Sequence, residues 1–185
     1  MKNKAFLYLL ISLFSISCKA QQYPLSIKYS QIPNNAYIKD MNNEYIGTWK
    51  CSFGNKEIFL YITKQEDRLI KLISKSYHSD VLLIKYEILS NNQIIESTKN
   101  FTIDKINITS MGKSKNNSVV FNYEGGKCHV GNGLIYLKYV DLTHLKWNFR
   151  PDSVMLTNIN CPDYPAGGIK INLPYEPSDI IFTKQ

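Results

Sequence analysis

From Tyr45 to the last residues, apolar side chains recur at every second position in short runs, and this alternation constrains the chain more than any other feature. Ile58, Leu60 and Ile62 share one side of Lys56 to Thr63; Leu82, Ile84, Tyr86 and Ile88 share one side of Val81 to Leu89; Leu145, Trp147 and Phe149 share one side of Thr143 to Phe149. A period of two marks a strand with one buried face. Clusters of Asn, Asp, Gly and Pro separate the runs at hairpin spacing, as in an all-β sandwich or barrel. The series begins at Tyr45-Ile46-Gly47-Thr48-Trp49-Lys50, where a polar, proline-punctuated leader ends.

The pattern predicts a first strand over Gly47 to Phe53, with its turn at Ser52 to Asn55. In Lys56 to Thr63, Phe59 and Tyr61 oppose the aliphatic face, which predicts cover on both sides. Arg68 to Lys75 fits a helical stripe (Leu69, Leu72, Ile73) as well as a strand face (Ile70, Leu72, Ser74) and stays open. Asn91-Asn92 turns the chain into Gln93 to Thr98. Further strands are expected over Ile103 to Thr109, Val119 to Tyr123, Leu134 to Val140, Ile169 to Leu173 and Ile180 to Thr183. Loops are expected at Met111 to Asn117, Gly125 to Gly133 and Pro151 to Gly168, and Asp141-Leu142 joins the clearest hairpin. No α/β alternation is present. The expected fold is an antiparallel up-and-down β-barrel of roughly 8–10 strands, which leaves no exposed edges; the alternative is a two-sheet β-sandwich.

The N-terminus reads as an export signal. Lys2 and Lys4 form a basic start, and the apolar run Ala5 to Phe14 is too short to span a bilayer. Ser15-Ile16-Ser17-Cys18 then resembles a bacterial lipobox, with Cys18 as the residue that takes the lipid (palmitate), although Ser15 stands where Leu is usual. Cleavage after Ala20 is the alternative. The expected organisation is residues 1–17 as signal (or 1–20), 18–44 as a tether with Leu25, Ile27 and Tyr29 alternating as a short edge strand, and 45–185 as the barrel. The tether lifts the domain off a membrane and then lies across it.

A formal charge of +7 is moderate, and the basic residues are scattered apart from Lys64, Arg68, Lys71 and Lys75, which Glu66 and Asp67 interrupt. Nucleic-acid binding would want a basic stripe with interleaved aromatics, so no nucleic-acid partner is expected; a solubilising surface is the plainer reading. The 44% hydrophobic content, with 13 Tyr and 8 Phe, argues against disorder and for strands. Of the four cysteines, Cys128 and Cys161 lie in Gly- or Pro-rich loops free to reach disulfide geometry, while Cys51 in a strand reads as a small buried hydrophobe.

No catalytic constellation is found. A Gly-x-Ser-x-Gly elbow and a Walker-type loop are absent, and Gly125 to Gly133 lacks the following helix that a phosphate cradle needs. Cys128-His129 has the right atoms for zinc or nucleophilic chemistry, but adjacent residues on extended backbone point apart. The three histidines, His78, His129 and His144, show no metal spacing. Glu87 and Glu96 face each other across a hairpin on sides that read as solvated. No metal or cofactor is expected. The one site candidate is a lumen lined by Trp49, Phe121, Tyr123, Trp147 and Phe149 that holds a small apolar ligand; the plainer reading is that these rings fill the core.

Gly47-Thr48-Trp49 resembles the opening of lipocalin-type barrels, where the Trp plugs one end. Over nearly the full chain, Ser17-Cys18-Lys19-Ala20-Gln21, Ile32-Pro33-Asn34-Asn35, Tyr37-Ile38-Lys39-Asp40, Tyr45 to Trp49, Asp80 to Tyr86, Asn160-Cys161-Pro162 and Ile181 to Gln185 resemble a family of small exported proteins of Gram-negative bacteria classed as a domain of unknown function. The resemblance implies export and brings no activity, cofactor or catalytic residue. The expected setting is the outer membrane, reached through the lipid on Cys18 and facing the periplasm or cell surface; the alternative is a soluble periplasmic or secreted protein. A small apolar ligand or an envelope protein is the expected partner, the latter met through Lys113 to Asn117 and Pro151 to Gly168.

Overall fold

The computed structural model describes residues 21–40, 42–175 and 180–185; the export signal, Cys18 and cleavage after Ala20 lie outside the described residues. In chain order the strands are β1 (Gln22–Pro24), β2 (Tyr37–Lys39), β3 (Gly47–Phe53), β4 (Lys56–Lys71), β5 (Ser76–Ser90), β6 (Gln93–Ser97), β7 (Ile108–Lys113), β8 (Val119–Tyr123), β9 (Gly133–Asp141), β10 (His144–Pro151) and β11 (Ile180–Lys184).

Strands β3, β4, β5, β7, β8, β9, β10 and β11 form a closed antiparallel barrel. β11 returns to β3 through Thr183↔Lys50 and Lys184↔Trp49, and β7 meets β5 at Leu83↔Thr109. Closure excludes the sandwich. β4 lies along one edge of β5, and three strands share the other: β2 at Tyr37↔His78, β7 at Leu83, and β6 along Glu87 to Ser90. The barrel forms because each strand turns its alternate residues inward. Ile58, Leu60, Leu82, Ile84, Phe121, Ile135, Leu137, Leu145 and Phe149 are all fully buried in one cluster. Each such side chain contributes about 1.5–3 kcal/mol by leaving water, so a charge at Leu60 would undo the inward face of β4.

Several expectations give way. The outward-facing Phe59 and Tyr61 are half-buried, with Lys50 at 5.1 Å and Lys99 at 4.9 Å from their ring centroids rather than a second layer of strand. On β5, by contrast, both faces are buried from Ser79 to Ile84, because Val81 and Leu83 pack outside the barrel with Ile106, Phe101 and Ile70. A single 3-10 turn occupies Ile103–Lys105, and strand structure begins only at Ile108, running on through Lys113 where a loop was expected. Ile169 to Leu173 is not a strand; it crosses one end of the barrel as irregular chain and buries Leu173. Leu25 to Tyr29 is not an edge strand either. Leu25, Ala36, Ile38 and Tyr45 join the core cluster, so the segment before the barrel is packed onto it.

The open question at Arg68 to Lys75 is answered by a bulge. Between Gln65 and Arg68 the β4–β5 register slips, with Asp67 at φ 55, and beyond it the two strands continue as a ribbon past the barrel wall. A bulge breaks the period of two, but from Arg68 to Lys71 the chain is strand, so the strand reading of the two holds there.

Candidate functional site

The end of the barrel near Tyr86 and Tyr123 carries a cavity of about 530 Å³, within the range of small-molecule sites. Its walls come from β6 (Ile95, Glu96), β8 (Tyr123), the turn after β8 (Gly126, Lys127, Val130) and the crossing segment (Pro165, Gly168 to Asn172). A chain of polar groups runs from its rim into the core. Lys56 Nζ donates to Asn172 Oδ1 at 2.9 Å, Asn172 Nδ2 to Glu96 Oε2 at 2.8 Å, and the Tyr86 hydroxyl to Glu96 Oε1 at 2.5 Å. The Tyr86 and Tyr123 oxygens then lie 3.2 Å apart. Glu96 is therefore fixed rather than solvated. Burial pushes both phenols above the usual tyrosine value; Tyr123 and Glu96 raise Tyr86 further, while the hydrogen bond with Tyr86 offsets part of the rise at Tyr123, so both stay protonated hydrogen-bond donors.

Two loops wall this cavity, and the Cys128–Cys161 disulfide joins them across 33 residues, assisted by Lys127 Nζ donating to the Asp163 carbonyl at 3.0 Å. The pairing is the one expected. The backbone there is not extended, however: Cys128 and His129 both adopt the left-handed conformation, at φ 55 and 58, which costs energy outside glycine. Gly125 makes the turn possible, because a Cβ on it would stand 2.4 Å from the His129 carbonyl oxygen.

Of the five aromatic residues expected to line a lumen, Trp49, Phe121, Trp147 and Phe149 are fully buried. Trp147 packs against Phe149 at 6.3 Å and Phe182 at 5.6 Å, and its Nε1 donates to the Pro174 carbonyl at 2.9 Å. Trp49 Nε1 donates to the Tyr45 carbonyl at 2.8 Å, and Lys184 Nζ sits 5.1 Å from its ring centroid. These rings fill the interior. Tyr123 alone of the five lines the end cavity. Sequence placed Glu96 on a solvated side opposite Glu87 and did not bring Asn172 to it, because nothing in the local pattern shows that a segment 76 residues further along the chain closes over β6.

Two further groupings stand apart. On the outer face of β9 and β10, beside the turn that precedes β8, Lys115, Lys138, Lys146 and Arg150 line a groove of about 700 Å³ with Ser114, Asn116, Tyr136 and Asn148. Near the bulge, buried Asp80 accepts from the Tyr37 hydroxyl at 2.5 Å and the Asp67 N–H at 3.2 Å, with Lys64 Nζ at 3.4 Å. Lys64 also donates to the Asp40 carbonyl at 2.6 Å. Burial raises Asp80, but Tyr37, Asp67 and Lys64 outweigh it and hold the carboxyl below its usual value; the same contact pushes Tyr37 up to about 12. Asp40 is raised, chiefly by burial, and its Oδ2 has no hydrogen-bond donor among the described residues. This cluster clamps the segment before the barrel onto β4 and β5. Among the described residues no group of three or more His, Cys, Asp or Glu is placed to hold a metal ion.

No curated protein and no solved structure matches the chain. One family model does, described as a family of unknown function (DUF6705), and it spans residues 1–185. The chain belongs to that family over its whole length.

Proposed function

We propose that the protein is an exported, lipid-anchored binding module of the cell envelope that takes a small, largely apolar ligand in the cavity at the end of its barrel. The observation that carries this reading is the cavity's construction. Ile95, Val130, Pro165, Ile169 and Ile171 supply apolar wall, Glu96 and Asn172 are held in fixed orientation, and a disulfide ties the two loops that enclose the space. Apolar walls with a few convergent polar groups are what a small-molecule site requires. The rims add Lys127 and Lys170, which suit a ligand with an anionic head. The disulfide also supports export, since such bonds persist in oxidising compartments, and Lys2, Lys4, Ala5 to Phe14 and Cys18 support lipid anchoring. Calorimetric titration with decanoate tests the site: saturable binding that Ile171→Asp abolishes is expected, and a flat titration together with no co-purified small molecule in the mass spectrum counts against it.

A second reading is an envelope protein–protein contact. The groove that Lys115, Tyr136 and Lys138 help to line, beside the Lys113 to Asn117 segment, favours it. Cross-linking in intact cells from position 115 would capture that partner; a position that captures nothing removes this reading.

A further inference from the structure

We infer that the tip of the β4–β5 ribbon, Leu72-Ile73, inserts into the surface of the bilayer to which the chain is anchored. The inference rests on the lipid-anchored reading above and goes beyond it by naming the part of the fold that meets the membrane.

Past the bulge, Leu69↔His78, Ile70↔Tyr77 and Lys71↔Ser76 continue the ladder, and the tip is closed by the Leu72 N–H donating to the Lys75 carbonyl at 2.9 Å. This tip gathers exposed aliphatic side chains: Ile73 is fully exposed, and Leu69 and Leu72 are exposed at 45% and 42%. Beside them Tyr29 is 52% exposed. Lys75 Nζ lies 4.2 Å from the Tyr29 ring centroid and donates to the Tyr29 and Ile32 carbonyls at 2.7 and 3.1 Å, while Lys71 is exposed. Aliphatic residues at a tip, with tyrosine and lysine set behind them, match the layers of a membrane interface, acyl chains first and headgroups next.

The direction of the sheet singles out a bilayer as occupant. β1 runs parallel to β2, and β2 parallel to β5, with Gln22 level with Tyr37 and Tyr37 level with His78. The start of β1 therefore faces the same end of the molecule as the ribbon tip. From Cys18 to Gln22 the chain spans at most roughly 14 Å, and the tip stands beyond the His78 level by roughly 10–15 Å. An anchor on so short a leash brings the tip to the bilayer. The opposite end of the β4–β5 ladder, at Lys56↔Ser90, is the end near Glu96 and the cavity, which this orientation leaves open to the aqueous side.

The test uses the full chain, exported in a Gram-negative host and reconstituted into vesicles of phosphatidylethanolamine and phosphatidylglycerol. Ile73→Cys is labelled with nitrobenzoxadiazole, and Gln93→Cys, at the far end, is the control. Cys51 is buried and Cys128 and Cys161 are paired, so the introduced thiol takes the label. Intact mass reports separately whether Cys18 carries lipid. With lipid present, a blue shift at position 73, quenching by brominated lipid and several-fold protection from iodide, with none of these at position 93, are expected. Lipidated, vesicle-bound protein in which both labels respond alike to iodide overturns the inference, as does protection at 73 that appears without vesicles and grows with protein concentration, the sign of a second copy. If the mass shows no lipid on Cys18, the anchor reading fails by itself. The tip is then decided by adding that protein to the same vesicles: a shift confined to position 73 upholds it, and no shift overturns it.

Discussion

The hydroxyl oxygens of Tyr86 on β5 and Tyr123 on β8 lie 3.2 Å apart, joining two barrel strands that have β7 between them, and Glu96 fixes the Tyr86 end at 2.5 Å. Removing the Tyr86 hydroxyl leaves a carboxylate oxygen and the Tyr123 hydroxyl each short of a partner. Tyr86→Phe is therefore expected to cost about 1–3 kcal/mol in urea unfolding, and Glu96→Gln, which keeps an acceptor, less. Equal stability of Tyr86→Phe and wild type would show that water replaces the missing group.

The disulfide closes a loop with a sequence separation of 33, for which chain entropy alone predicts a contribution of about 3–4 kcal/mol. The double variant Cys128→Ser/Cys161→Ser should lose that much stability, and decanoate binding should weaken with it because the two cavity walls separate. Binding that survives with unchanged affinity would detach the cavity from its strap.

Cys51 is buried, and burial pushes its thiol up to about 12. A thiol that neither ionises nor meets solvent does not react. With Cys18 lipidated or cleaved away, a thiol-reactive disulfide reagent at pH 8 should therefore find no reactive thiol in the native protein and one after denaturation without reductant.

Asp80 and Asp40 pull the pH dependence of stability in opposite directions. Asp80 sits below its unfolded value of about 4, so the stability it adds is present above that pH and is lost as pH falls through its folded value. Asp40 sits above its unfolded value; the protonated form is favoured by folding, and that stability is lost as pH rises through its folded value. At pH 7, Asp80→Asn should thus destabilise by about 2–3 kcal/mol, since Lys64 and Tyr37 lose an ionised acceptor. Asp40→Asn should leave stability unchanged or higher, because Asn keeps an oxygen for Asn42 and removes a buried charge. Thermal melts from pH 3 to 8 check both signs.

The sides of the strands were legible because burial follows a period of two: Ile58, Leu60 and Ile62, and Leu145, Trp147 and Phe149, face inward as their alternation requires. The Cys128–Cys161 pair was legible from loop composition. What failed to show was whatever depends on a partner far along the chain. Phe59 and Tyr61 read as faces awaiting a second layer, but lysine stems from β3 and from beyond β6 cover them. Ile169, Ile171 and Leu173 alternate as a strand would, yet the barrel ring itself offers them no edge once β11 pairs with β3.

Alternation by itself determined that this chain makes antiparallel strands with one oily side, since a side chain's face is a local property of extended backbone. Which strands meet to close the ring, that the five aromatic residues pack into a filled interior with only Tyr123 reaching the cavity, and that Glu96, Asn172 and the loop after β10 enclose that cavity were decided in three dimensions. Those contacts join residues dozens of positions apart, and no local pattern encodes a distance that only closure of the sheet creates.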